Sequence, residues 1–185
     1  MRIRVDDIPA EGRELDFDLD GGGVNERVEL ARANDRDAGG LEQPHYSFQH
    51  DPHAHLRLSL EGSTVVVSGT VKGSYSTVCS RCADETVQTI EAPLDLVLKP
   101  LAARTAESEY AEDLHFGYYE NEEILCDVIA EEFLVLALPF TVLCSPGCKG
   151  LCPQCGKNLN EGPCSCPPEQ KGDPRLQVLR DLKLQ

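Results

Sequence analysis

The sequence predicts an α+β protein: an antiparallel β-sheet packed by one long apolar helix, followed by a small cysteine-rich, zinc-ribbon-like tail. Three observations carry that expectation. Polar and apolar residues alternate at period two through much of residues 1–98, one apolar run fills Ile124–Leu138, and six of the nine cysteines crowd into Cys144–Cys166.

Taken in order, Arg2-Ile3-Arg4-Val5 and Glu14-Leu15-Asp16-Phe17-Asp18-Leu19 place apolar side chains on one face only, as strands do. Gly21–Gly23 reads as a break, Val24–Ala33 as a short helix, and the Gly-, Asp- and Asn-rich stretch 34–44 as a loop. His55–Val78 reads as a hairpin turning at Glu61-Gly62, with Glu85–Leu98 as further strand beyond a turn at Cys79–Cys82. Residues 101–120 show no period and are expected to form a long acidic connection. Asn121 is the expected N-cap of a core helix over 121–138, because Glu122 and Glu123 suit the positive end of a helix dipole and Pro139 stops it. A helix apolar on most faces should lie against the sheet, with Cys126 as a small buried hydrophobe. Asp173 and Pro174 begin a short C-terminal helix carrying Leu176, Leu179 and Leu182 on one face. The chain then divides into a body, 1–143, and a tail, 144–185.

Charge narrows the function classes. The chain has 185 residues and a formal net charge of −15, from 17 basic and 32 acidic side chains. Such a chain is a poor unspecific ligand for nucleic acid or an anionic membrane, and a basic partner is the electrostatic expectation. Thr105–Glu132 holds ten acids and no Lys or Arg, whereas the tail holds six Lys and Arg against four acids. The N-terminus lacks the apolar region of a signal peptide and no run is long enough to span a bilayer, so a cytoplasmic protein is expected. The motifs GxxxxGK[ST], GxGxxG, GxSxG and HExxH are absent, which leaves neither an enzyme class nor a small-molecule substrate to expect.

In a reducing compartment nine cysteines are metal ligands or redox groups before they are disulfides. Setting Cys126 aside, the other eight fall into four close pairs, and two to four residues of turn let paired sulfurs converge on one tetrahedral Zn²⁺. Cys152, Cys155, Cys164 and Cys166 make one expected set; Cys79, Cys82, Cys144 and Cys148 make the other. Two closed, structural zinc sites are favoured, while a single site with the remaining cysteines free stays open, as does a dithiol redox role for Cys79 and Cys82. The histidines His45, His50, His53 and His55 fit a polar loop entering a strand, with a metal role as the alternative.

The ordered combination CSRC, LALP, GLCPQCGKNLN and DPRL across Val65–Leu184 resembles the YceD family of large ribosomal RNA subunit accumulation proteins. The family motif falls on Cys79, Arg81 and Cys82, on the run Cys144–Cys166, and on Asp173-Pro174-Arg175. The resemblance implies a bacterial cytosolic protein tied to 23S rRNA accumulation or large-subunit assembly, without a known enzymatic reaction. A basic ribosomal protein or large-subunit assembly factor is the expected partner, met through the acidic block with Glu107, Glu109, Glu112 and Asp113. The alternatives are a zinc-knuckle RNA binder, using Lys149, Lys157, Arg175, Arg180 and Lys183 of the tail on ribosomal RNA, and a thiol redox sensor or enzyme.

Overall fold

A computed structural model describes residues 1–37, 44–103 and 116–167. In chain order these form β1 (Arg2–Arg4), β2 (Arg13–Asp18), α1 (Gly21–Asp37), β3 (Ser47–Phe48), β4 (His53–Glu61), β5 (Thr64–Val78), β6 (Glu85–Pro100), β7 (Phe116–Tyr119), β8 (Glu123–Leu125) and α2 (Cys126–Leu136). One sheet runs β2–β4–β5–β6–β7, with β3 also pairing β5; β1 and β8 form a second, two-stranded sheet. Every pairing is antiparallel except β6 with β7.

Period-two alternation builds the main sheet, because it delivers Ala54, Leu56 and Leu58, then Val65, Val67 and Val71, then Ala92, Leu94 and Leu98 to one buried face. Both helices cover that face, through Val24 and Val28 of α1 and Cys126, Ala130 and Leu134 of α2. Arg27 of α1 reaches Glu131 of α2 at 3.1 Å. At Gly69 β5 passes so close to β4 that an added Cβ would stand 2.1 Å from the His55 carbonyl oxygen, and φ is +156°. Only glycine fits there.

Several expectations are corrected. Gly21–Gly23 do not break the chain; they open a 17-residue helix, longer than the expected Val24–Ala33. The Asp20 carboxylate accepts from the Gly22 and Gly23 N–H groups at 3.1 and 3.2 Å, and Asp51 accepts from Gly21 N–H at 2.9 Å. These side-chain caps outweigh the weak helix propensity of glycine. Nor is there one long apolar helix over 121–138: α2 has 11 residues and starts at Cys126. Asn121 and Glu122 instead take φ of 54° and 57°, closing a tight turn in which Glu123 N–H donates to Glu120 O at 2.9 Å. Glu123–Leu125 then pair with β1, setting Ile124 opposite Ile3. Strand pairing to the distant N-terminus decides the boundary.

The expected acidic connection is partly strand, since Phe116–Tyr119 run parallel to Val97–Pro100. Residues 104–115, with Glu107, Glu109, Glu112 and Asp113, lie outside the described residues. So does the expected C-terminal helix with Asp173, Leu176, Leu179 and Leu182, together with Lys171, Arg175, Arg180 and Lys183. Among the described residues no helix is long and apolar enough to cross a membrane.

Candidate metal centres

The longest strands of the sheet, β5 and β6, meet at a six-residue turn, Cys79–Asp84, that presents two sulfurs. Ala83 N–H donates to Cys79 O at 3.0 Å and Cys79 N–H to Asp84 O at 2.8 Å. The same pattern recurs in the tail. Gly156 N–H donates to Cys152 O at 2.9 Å, and Cys152 N–H to Lys157 O at 2.8 Å. Each turn requires a left-handed residue after its second cysteine, which is Ala83 (φ 60°) in one and Gly156 (φ 72°) in the other.

The chain leaving α2 brings the remaining sulfurs to the first turn. Ser80 N–H donates to Val142 O at 2.8 Å, and Val142 N–H returns to Ser80 Oγ at 3.2 Å. That ladder delivers Cys144 and Cys148, so the sulfurs of Cys79, Cys82, Cys144 and Cys148 all lie within 4.8 Å of one another. Cys152, Cys155, Cys164 and Cys166 form a second quartet by the same measure. The structure therefore brings together the two sets expected from spacing. Within them Cys79–Cys148 is 3.7 Å, Cys82–Cys144 3.6 Å and Cys152–Cys164 3.4 Å between sulfurs. Four sulfurs about 2.3 Å from a zinc ion stand about 3.8 Å apart, whereas a disulfide needs about 2.05 Å. The donor sets fit Zn²⁺.

Electrostatics agree with the geometry. Backbone N–H groups of Cys82, Cys144 and Arg81 lower the Cys79 thiol to about 6, and those of Cys155 and Gln154, with Cys164, lower Cys152 to about 6. Hydrogen bonding to Cys155 and the crowding of Cys152 and Cys164 push Cys166 up to about 12. A pocket that readily ionises one thiol while resisting the next favours a cation at its centre.

The two quartets share a support. Leu151 N–H donates to Arg81 O at 3.1 Å, Asn158 Nδ2 to Asp84 Oδ2 at 2.7 Å, and Asn160 Nδ2 to Cys148 Sγ at 3.4 Å. The Asn160 amide also pulls the Cys148 thiol below its ordinary value. Arg81, the cation of CSRC, spends Nη1 on Cys148 O at 3.1 Å. Sequence reasoning missed the roles of Asn158, Asn160 and Asp84. The available signal was the alternation of two Asn just after a cysteine turn, a composition that favours side-chain to backbone bonding.

A family model described as large ribosomal RNA subunit accumulation protein YceD matches residues 67–183, which take in both quartets. The chain belongs to the YceD family. The chain is also 32% identical over 110 residues to an uncharacterized protein of Mycobacterium tuberculosis, covering 58% of this chain and 51% of that one. A Mycobacterium leprae protein is 28% identical over 130 residues, covering 69% of this chain and 57% of its own length. An Arabidopsis thaliana protein named as a chloroplastic YCED homolog is 35% identical over 63 residues, 34% of this chain and 19% of its own. The chain thus spans about half the length of the mycobacterial relatives it matches. No solved structure matches it.

The other candidates are placed as follows. His53 Nδ1 meets Asp18 at 2.8 Å and His55 Nδ1 meets Asp16 at 2.9 Å on the outer face of β2 and β4, while His45 Nδ1 meets Glu29 at 2.8 Å on α1. The histidines are not gathered into one metal-ready group among the described residues. Cys126 is buried in the core, away from both quartets, and burial raises its thiol to about 11. Lys149 precedes the second turn, its N–H donating to Asn160 Oδ1 at 2.8 Å, and Lys157 closes that turn, its Nζ donating to Pro163 O at 3.0 Å.

Proposed function

We propose that this YceD-family chain is a non-catalytic, cytoplasmic factor in 23S rRNA accumulation and large-subunit biogenesis. Two structural zinc ions hold it, one on Cys79, Cys82, Cys144 and Cys148 and one on Cys152, Cys155, Cys164 and Cys166. It acts through protein contacts with a basic ribosomal protein or large-subunit assembly factor. The observation that carries this reading is the closure of both quartets, since four thiolates complete a tetrahedron and leave no position for water or substrate. A net charge of −15 supports a basic protein over RNA as the primary partner.

The test replaces the chromosomal copy in its source organism with a Cys79→Ser/Cys82→Ser variant or a deletion, and compares the ratio of 23S to 16S rRNA. A falling ratio is expected in both. An unchanged ratio in the deletion strain would refute the proposal.

A further inference from the structure

α2 is apolar on two sides, and the described residues enclose only one. Cys126, Ala130 and Leu134 face the core at 0% exposure, whereas Val128 and Leu136 on the other side are 36% and 75% exposed, and Leu125 of β8, which lines the same groove, is 41% exposed. A helix apolar on both sides is ordinarily enclosed on both. Between this open side and β7 runs a groove of about 960 Å³. Its floor is formed by buried Leu98, Tyr119 and Ile124, and its far wall by Phe116.

The charges of the groove indicate what would cover it. Glu120, Glu123 and Glu132 line it. Its lining arginine, Arg2, is held by Glu123 at 3.1 Å, and nearby Lys99 sits over the Phe116 ring at 4.5 Å. Glu120 and Glu132 have no ion-pair partner among the described residues. Phosphates would be repelled here, whereas Lys or Arg beside apolar side chains would meet both features. Val128, Glu132 and Leu136 follow the four-residue spacing of a helix ridge, which another helix can interdigitate. β7, at four residues, offers only a short ladder to an added strand.

We infer that this groove receives a basic amphipathic helix of a protein partner. The inference deepens the proposed function and rests on its claim of a basic protein partner. Three labelled peptides of about 18 residues serve as probes. One has Leu and Lys at helical spacing, one has Glu in place of Lys, and one has Ser in place of Leu. Fluorescence anisotropy with the full, zinc-loaded chain reads binding. The Leu/Lys peptide should bind at least about tenfold more tightly than either control. Val128→Lys and Leu136→Lys should each weaken it at least about tenfold, while Leu30→Lys, on exposed α1 surface, should not. Unchanged circular dichroism would establish that the variants fold.

Equal binding of the Ser/Lys peptide, or indifference to both groove substitutions, would overturn the inference. So would a concentration-dependent dimer lost in Leu136→Lys, which would make a second copy the occupant. A rise in peptide affinity of about tenfold on changing Leu176, Leu179 and Leu182 together to Ser would overturn it in favour of the chain's own C-terminal segment. Normal 23S accumulation in cells carrying Leu136→Lys, with peptide binding lost, would reject the groove while leaving the proposed function intact.

Discussion

Ala83 and Gly156 occupy equivalent places in the two cysteine turns, at φ 60° and 72°. A side chain in that conformation costs about 1–2 kcal/mol, so Ala83→Gly should stabilise the metal-loaded protein by about 1 kcal/mol. Gly156→Ala should destabilise it by a similar amount. Nothing lies within 4 Å of the added Cβ, so the backbone conformation is the whole cost. Thermal melts of the two variants beside the parent check both signs. The His and Asp residues on β2 and β4 give a second residue-scale expectation. A hydrogen bond to Asp18 raises His53 above 6.5, and one to His55 holds Asp16 below 3.8. The histidine contribution is complete below its unfolded value and lost as pH rises through its raised folded value. The aspartate contribution is complete above 3.8 and lost as pH falls through its lowered folded value. These exposed pairs therefore stabilise most between the two, and modestly. Asp18→Asn should lower the melting temperature more at about pH 5.5 than at about pH 8.5. Equal losses at both would contradict the assignment.

At the scale of elements, the two cysteine turns act as one unit because the loop of the second supports a ligand of the first. Asn160 donates to the Cys148 sulfur at 3.4 Å while its Oδ1 accepts from Lys149 N–H at 2.8 Å. Partners of this kind are worth about 10–100-fold in metal affinity, so Asn160→Ala should speed zinc loss to a chelator from the first quartet by that order. Release rates unchanged from the parent would deny the coupling. The turn before β8 offers a stability check: Glu122 sits at φ 57°, and Glu122→Gly should add about 1 kcal/mol in a thermal melt. That turn also marks where reading the sequence stopped short. β4, β5 and β6 were legible because alternation is a local property that survives into the sheet. The start of α2 was not, because Asn121-Glu122-Glu123 satisfies a helix-start pattern and a turn equally well. The pairing of Ile124 with Ile3, far away in the chain, decides between them. Gly21–Gly23 misled for a related reason, since Asp51 caps α1 from beyond the helix. β7 was missed because four residues show too little period.

For the whole molecule, the cysteine pairs were the most legible feature of all. Two sulfurs two to four residues apart can serve one ion wherever the fold carries them, so spacing favoured both quartets while leaving a single site open. Spacing could not show that Cys144 and Cys148 dock on the tip of β5 and β6, or that the two quartets touch through Asn158 and Asn160. Those contacts depend on the path taken after α2. The resulting molecule joins a sheet-and-helix core to a cysteine module, bears a net charge of −15, and leaves an acid-lined apolar groove on the far side of α2. Structural zinc in both quartets is tested by metal stoichiometry, from mass spectrometry of anaerobically purified protein. Thiols are counted before chelation, after it, and after unfolding. About two zinc ions per chain are expected, with about eight thiols appearing on chelation and a ninth, Cys126, only on unfolding. Metal-free protein with disulfides within the quartets would contradict it and make thiol redox chemistry the leading reading.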